Sequence, residues 1–116
     1  MDRTDIWIES EKEVARLGVR DKYKGYYYLI IAVVLSFKAG LRRGEYSKEI
    51  YDRIAVMNDV SVQSVEKAIR TSIIKAWSDE GSTLRNSYSW RGKRPTNSEL
   101  IAFITSRLRL ETTPVI

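Results

Sequence analysis

Cysteine and histidine are both absent from this chain of 116 residues, and their absence excludes several kinds of protein. Without them there is no zinc finger, no HExxH metal site, no Ser-His-Asp triad, no cysteine nucleophile and no disulfide scaffold. The remaining acids and nucleophiles form no recognisable catalytic arrangement, so we predict no enzymatic activity, no metal and no cofactor. The length allows a single domain with one hydrophobic core.

Proline and glycine are scarce, with two and six residues, so the chain has few of the turns that a sandwich or barrel of short strands needs. Long hydrophobic runs are missing as well, because the most apolar stretch, residues 26–35, falls short of the roughly 18 to 20 residues that cross a bilayer. The N-terminus has no signal-peptide pattern. We therefore predict a mostly or entirely helical cytoplasmic protein with no membrane partner.

Basic residues exceed acidic ones, with 20 Lys and Arg against 15 Asp and Glu and a net charge of +5. The surplus lies in the second half, since residues 63–116 carry nine basic and five acidic side chains, whereas residues 1–62 carry 11 and 10. A basic surface favours a polyanionic partner without identifying it.

Apolar spacing predicts a surface helix at about residues 5–17, with Glu13 among the charged residues of its solvated side. A second helix, residues 24–39, is apolar nearly all round and is predicted to lie in the middle of the fold and to end at Gly40. The last helix follows Pro95, where Thr96 and Glu99 have capping-box spacing. Its predicted core side carries Leu100, Ile101, Ile104 and Leu108. Phe103 lies off that stripe, and either a dimer contact or core packing would explain an apolar residue there.

Two basic segments have no sustained helical period. Residues 42–44 (Arg-Arg-Gly) predict a loop that is either a solvated turn or a phosphate contact. Residues 79–94 predict a loop with at most one short helical turn. Its aromatic residues, Tyr88 and Trp90, suit either contacts beside a nucleic acid or attachment of the loop to the core.

A short helix, a tight turn and a longer helix are predicted at about residues 47–78, which is the layout of a helix-turn-helix unit. Ser47 can cap the short helix, and Ile50, Ile54 and Met57 follow its core side. Ser61 can cap the longer one, residues 62–78. Its apolar stripe consists of Val62, Val65, Ile69, Ile73, Ala76 and Trp77.

The opposite face of the longer helix carries side chains of the kinds that bind base edges and phosphates. A solvated polar face explains the same pattern, and spacing alone does not decide between the two. On the nucleic-acid interpretation, the residues that contact bases are Glu66, Lys67, Arg70 and Thr71. The residues that hold phosphates are Ser61, Gln63, Ser64, Lys75, Arg91, Lys93 and Arg94.

Several short motifs occur in a recognisable order between residues 14 and 111. They are Gly18-Val19, Lys24-Gly25-Tyr26-Tyr27-Tyr28-Leu29, Tyr51 with Ile54-Ala55, Val65-Glu66-Lys67-Ala68-Ile69-Arg70 with Ala76-Trp77-Ser78, Lys93-Arg94-Pro95-Thr96-Asn97-Ser98-Glu99, and Arg107-Leu108-Arg109-Leu110-Glu111. In these motifs the chain resembles the C-terminal DNA-binding effector domain of the stage-zero sporulation initiation response regulator.

The resemblance implies an all-α domain of about six helices, whose helix-turn-helix places its second helix in the major groove of double-stranded DNA at a short TGTCGAA-like box. In the family that helix carries Glu-Arg-Ala-Ile-Arg-His, so Glu66 and Arg70 are retained. Lys67 and Thr71 are not. Lysine contacts guanine less rigidly than the planar fork of arginine, so the preferred box is expected to differ.

The chain departs from the family in two further ways. It begins a few residues before the effector domain, so we expect a stand-alone domain without the phosphorylatable receiver domain. The segment between Trp77 and Pro95 is shorter than in the family and is expected to lack a short helix that the family has there. In the family, this region resembles a docking surface for the RNA polymerase sigma factor. Activation through that contact is therefore expected to be lost or altered.

Taken with the resemblance, the residues favour a sequence-specific, double-stranded DNA-binding transcription regulator associated with the nucleoid. A homodimer on DNA is an open alternative for its oligomeric state. The competing hypothesis is a protein-interaction module that sequesters a related full-length regulator or RNA polymerase. Such a module would have no reason to keep the polar face at residues 66–71.

Overall fold

Six helices and no strand make up the part of the chain that the computed structural model describes, residues 3–40, 48–88 and 92–112. They are α1 (Arg3–Arg16), α2 (Lys24–Ala39), α3 (Lys48–Asn58), α4 (Val62–Ser78), α5 (Thr83–Ser87) and α6 (Asn97–Thr112). The all-α prediction is confirmed. None of these helices is both long enough and apolar enough to span a bilayer, within the three described ranges.

Helix α2 is the central element of the fold, and α1, α3, α4 and α6 all pack against it. This arrangement explains why its sequence is apolar nearly all round, with Leu29, Ile30 and Val33 fully buried. The helix ends at Gly40, whose φ of 69° is left-handed and whose amide donates to the Phe37 carbonyl. The predicted position and end of α2 are confirmed.

Glu13 is buried, although the sequence pattern placed it on the solvated side of α1. Its carboxylate accepts hydrogen bonds from Arg16 at 2.7 and 3.0 Å. Arg107 of α6 lies with Nε 3.1 Å from Glu13 Oε1, without the alignment of a hydrogen bond. Burial acts to raise the pKa of Glu13, but the hydrogen bond and charge of Arg16 and the charge of Arg107 outweigh it and hold the pKa below its ordinary value. The carboxylate thus links α1 to α6.

Replacing Glu13 with glutamine is expected to lower the free energy of unfolding at neutral pH by about 1–2 kcal/mol, intermediate between exposed and buried ion pairs. The intermediate value follows because the arginine side chains are 42% and 41% exposed. A carboxylate with a lowered native pKa stabilises the fold above its unfolded pKa, and that contribution disappears as the pH falls through the native value.

The difference between wild type and Glu13→Gln in urea unfolding should therefore shrink between about pH 5 and pH 3. Glu9→Gln is the matched control, because Glu9 pairs with Lys12 at the surface at 3.3 Å and its loss should cost at most about 0.5 kcal/mol. A difference for Glu13→Gln that stays constant with pH would contradict the role assigned to this carboxylate.

One residue of α3 that was predicted to lie in the core is exposed. Ile50, Tyr51, Ile54 and Ala55 are buried. Met57, predicted to continue that stripe, is 62% exposed. The buried stripe follows the side of α3 that contacts α2 and α4, and Met57 falls to one side of it in the last turn.

The segment after α4 was predicted to be a loop with at most one short helical turn, and the five-residue helix α5 is such a turn. The expectation drawn from the resemblance, that this segment lacks a short helix, is wrong. Ser82 caps this helix by accepting a hydrogen bond from the Arg85 amide at 3.0 Å. Leu84 and Tyr88 are both buried. The Tyr88 ring meets the edge of Phe103 at 5.3 Å between centroids. Tyr88 therefore attaches the segment to the core. Because α5 is present, a missing helix is no longer a reason to expect the loss of a sigma-factor contact.

Helix α6 begins and packs as predicted. The Thr96 amide donates to Glu99 Oε1 at 2.9 Å and the Glu99 amide donates to Thr96 Oγ1 at 3.2 Å, which completes the capping box. The four residues predicted on its core side, Leu100, Ile101, Ile104 and Leu108, are all buried. Ser47, residues 42–44, Trp90 and Arg91 lie outside the described residues.

Candidate nucleic-acid interface

The turn between α3 and α4 holds the two helices of the predicted pair together. Asp59 has a left-handed φ of 52°, a conformation that aspartate tolerates better than most residues. The Val60 amide then donates to the Ala55 carbonyl at 3.0 Å. Ser61 caps α4 by accepting a hydrogen bond from the Ser64 amide at 3.0 Å, as its sequence position predicted. The start of α4 is therefore set by contacts within a few residues.

Helix α4 has one buried side and one solvent side. Val65, Ile69, Ile73 and Ala76 are buried. Lys67 and Arg70 are exposed on the opposite side, and Thr71 beside them is half-buried. Gln63, Ser64 and Lys75 are exposed as well. Three of the four residues predicted to contact bases thus share the solvent side of α4.

Glu66 has a different position from the other predicted base contacts. It is half-buried at the edge of the solvent side, and its backbone carbonyl accepts a hydrogen bond from Asn97 Nδ2 at 2.9 Å. Asn97 is the first residue of α6. The contact joins residues 31 positions apart, so no local sequence signal could have predicted it. It links α4 directly to the segment that carries Lys93 and Arg94.

A cleft of about 400 Å³ lies between α4 and the start of α6. Arg70 from the predicted base contacts and Arg94 from the predicted phosphate contacts both line it, together with Thr96, Asn97 and Ser98. No carboxylate belongs to its lining within the described ranges. Two guanidinium groups beside hydroxyl and amide groups suit an anion. The fold therefore brings together two residues that are 24 positions apart in sequence.

The remaining predicted phosphate contacts are distributed around α4. Ser61, Gln63 and Ser64 lie at its N-terminal end, and Lys75 lies further along it. Arg70 and Lys75 are separated by roughly 140° around the helix axis, given 100° per residue. Lys93 is exposed next to Arg94. Basic side chains consequently flank the solvent side of α4 on both edges.

Gly25 determines how closely α2 approaches α4, a role the sequence analysis missed. A Cβ atom at Gly25 would lie 2.1 Å from the Ala68 carbonyl oxygen and 2.1 Å from Ser72 Oγ. Ser72 Oγ in turn donates to the Ala68 carbonyl at 3.0 Å. The start of α2 therefore touches α4 at Ala68 and Ser72, and this contact fixes how closely α4 approaches the central helix.

An all-helical domain in which a capped helix follows a short helix and a tight turn has the layout of a helix-turn-helix unit. The family described as Sporulation initiation factor Spo0A C terminal matches residues 11–108, and the chain belongs to this family. Its members are DNA-binding effector domains that regulate transcription and are not enzymes. The resemblance noted in the sequence and the prediction of no enzymatic activity are confirmed, and double-stranded DNA is the partner that the family identifies.

Proposed function

We propose that the chain recognises a short DNA sequence by inserting α4 into the major groove. Lys67, Arg70 and Thr71 would contact base edges from the solvent side of the helix, and Glu66 would do so from its edge. The observation that carries this proposal is the exposed side of α4, which presents these groups next to a basic cleft. The groove of B-DNA admits one such helix. The helix-turn-helix unit would span about residues 47–78 of a single domain.

Phosphate contacts on both sides of α4 complete the proposed complex. A helix in the major groove lies between two phosphate backbones, so basic groups are needed on both of its edges. Arg94 and Lys93 would meet one backbone and Lys75 the other. The remaining proposed phosphate contacts are Ser61, Gln63, Ser64 and Arg91. As a DNA-binding regulator the protein would act at the nucleoid, in the cytoplasm.

The preferred site is expected to differ from the TGTCGAA-like box that the family resemblance implied. Two of the four proposed base contacts, Lys67 and Thr71, replace the arginine and histidine of the family helix. Lysine is a flexible point charge where arginine offers a rigid fork, and each bidentate contact discriminates between bases by about 1–3 kcal/mol.

Selection from a random pool of duplex DNA at physiological salt tests the proposal. Enrichment of one short motif is the expected result, and two half-sites about one helical turn apart would indicate binding as a pair. Weak binding without enrichment, lost as salt increases, would contradict it. That outcome would favour the competing hypothesis of a module that sequesters a full-length regulator or RNA polymerase.

Replacing Lys93 with alanine should weaken binding to the selected motif and to random DNA by the same factor. A phosphate contact carries no sequence information, and its loss should reduce the slope of log affinity against log salt by about one. Fluorescence anisotropy at several salt concentrations measures both effects. Lys12→Ala is the matched control, because Lys12 is an exposed lysine on α1. A loss confined to the selected motif would contradict the phosphate role.

A further inference from the structure

The segment that leads into α2, residues 20–24, lies beside α4. Gly25, which follows it, approaches α4 so closely that a Cβ atom there would lie 2.1 Å from the Ala68 carbonyl oxygen. At the other end of the segment, Arg20 pairs with Asp79, the residue after α4, at 3.4 Å. These two contacts hold the segment along α4 from the middle of that helix to its end.

The segment lies on a defined edge of α4. The start of α2 meets α4 at Ala68 and Ser72. At 100° per residue, these two residues lie roughly 20° and 60° from Lys75 around the helix axis. Both lie roughly 160° from Arg70, which lines the cleft shared with Arg94. The segment before α2 is therefore next to the Lys75 edge of α4, and the start of α6 is next to the opposite edge.

Two lysines of this segment have no carboxylate partner in the described part of the chain. Lys22 and Lys24 are exposed, and neither forms an ion pair there. Asp21 is exposed as well, so two lysines and one aspartate leave one net positive charge, while Arg20 is engaged by its partner after α4. Glu80 is also exposed, but it lies beyond the end of α4, on the Arg20 side of the segment.

Lys24 lies where a positive charge does not favour the fold. It is the first residue of α2, and the first turn of this helix contains no acidic residue. The N-terminal end of a helix is its positive end, so a lysine there is unfavourable, whereas Lys38 in the last turn is favourable. An anion outside the chain would turn the charge of Lys24 into a favourable one.

We propose that Lys22 and Lys24 contact the phosphate backbone of DNA on the Lys75 edge of α4. This contact rests on the proposed insertion of α4 into the major groove, where the helix lies between two phosphate backbones. Lys93 and Arg94 would meet one backbone. The segment before α2 would add two lysines to Lys75 on the other, so that both backbones are contacted from outside the inserted helix.

Binding to random duplex DNA at several salt concentrations tests this contact. Lys24→Ala should lower the affinity about fivefold to tenfold near 0.1 M salt and reduce the slope of log affinity against log salt by about one. Adding Lys22→Ala should bring the reduction in slope to about two. Asp21→Asn should strengthen binding, because it removes a negative charge beside the backbone. Lys38→Ala is the matched control, an exposed lysine of the same helix roughly 20 Å further along its axis, and should leave binding unchanged.

Thermal denaturation separates this role from a structural one. Lys24→Ala should not lower the midpoint of unfolding, because its charge is unfavourable to α2. A variant lacking both lysines that keeps the affinity and salt slope of Lys38→Ala would overturn the proposal. A loss of DNA binding that only follows a loss of stability would overturn it as well.

Neutral methylphosphonate groups at single positions of the selected motif locate the contact. The phosphate whose replacement no longer matters in Lys24→Ala should lie on one strand, and the phosphate whose replacement no longer matters in Lys93→Ala should lie on the other, because the major groove separates the strands. Coupling of both lysines to one strand would overturn the proposal. A selection that yields no motif would contradict sequence recognition alone, since the salt slopes on random DNA still test the contact.

Discussion

Replacing Arg70 with alanine is expected to weaken binding to the selected DNA motif by about 10- to 100-fold, the value of one bidentate arginine-guanine contact. Arg70 is exposed on the solvent side of α4, and its guanidinium can donate two parallel hydrogen bonds to the acceptors of guanine. Binding to random DNA should fall much less. A repeated selection with the variant should accept several bases at one position of the motif.

Arg70→Lys separates base recognition from simple charge. The lysine keeps the positive charge but loses the planar fork, so random DNA should still bind while discrimination at one position is lost. Arg20→Ala is the control variant. Arg20 is an exposed arginine outside α4 that pairs with Asp79 at 3.4 Å. Equal losses on both kinds of DNA for Arg70→Ala would instead assign Arg70 to a phosphate, as its cleft with Arg94 would allow.

Replacing Gly25 with alanine is expected to lower the free energy of unfolding by about 3 kcal/mol, the upper end of the usual cost of overpacking a core. The new Cβ atom would stand 2.1 Å from the carbonyl oxygen of Ala68. A backbone oxygen in a helix cannot rotate away as a side chain can, so α2 and α4 would have to separate. Urea unfolding measures the loss, and DNA binding should weaken as well because α4 moves.

Two further variants identify the cause of that loss. Gly25→Ala combined with Ser72→Ala removes the Ser72 hydroxyl but leaves the Ala68 carbonyl, so stability should not return. Gly81→Ala is the control glycine, with a left-handed φ of 69° and no atom within 4 Å of the new Cβ. Its cost should be only the backbone strain of about 1–2 kcal/mol. Recovery in the double variant would show that the side chain alone limits the approach.

The parts of this fold that the sequence predicted are those whose causes lie within a few residues. The Ser61 cap joins atoms three residues apart, and so does the capping box of Thr96 and Glu99. The end of α2 depends on Gly40 and the preceding turn. The exposed side of α4 was predicted from the spacing of its apolar residues alone. The same reasoning predicted the segment after α4 to be a loop with at most one short helical turn, and Ser82 marks the start of that turn.

The features that the sequence did not predict all depend on contacts between helices. Met57 has the right spacing for the α3 core, but α2 and α4 cover a different side of the helix. Glu13 belongs to a charged stretch, yet it is buried and Arg107 from α6 lies 3.1 Å from its carboxylate. The close approach at Gly25 and the pairing of Asn97 with the Glu66 carbonyl likewise require knowledge of which helices are neighbours.

The hydrogen bond from Asn97 to the Glu66 carbonyl would make the proposed DNA recognition sensitive to the shape of the duplex. It joins α4 to the segment with Lys93 and Arg94. In the proposed complex, the spacing between α4 and the phosphates that these residues contact would therefore be set by the protein before any DNA is bound. A duplex whose local groove width matches that spacing binds without deformation, whereas others must bend or widen at an energetic cost. Base pairs that no side chain touches are then expected to influence affinity through their stiffness.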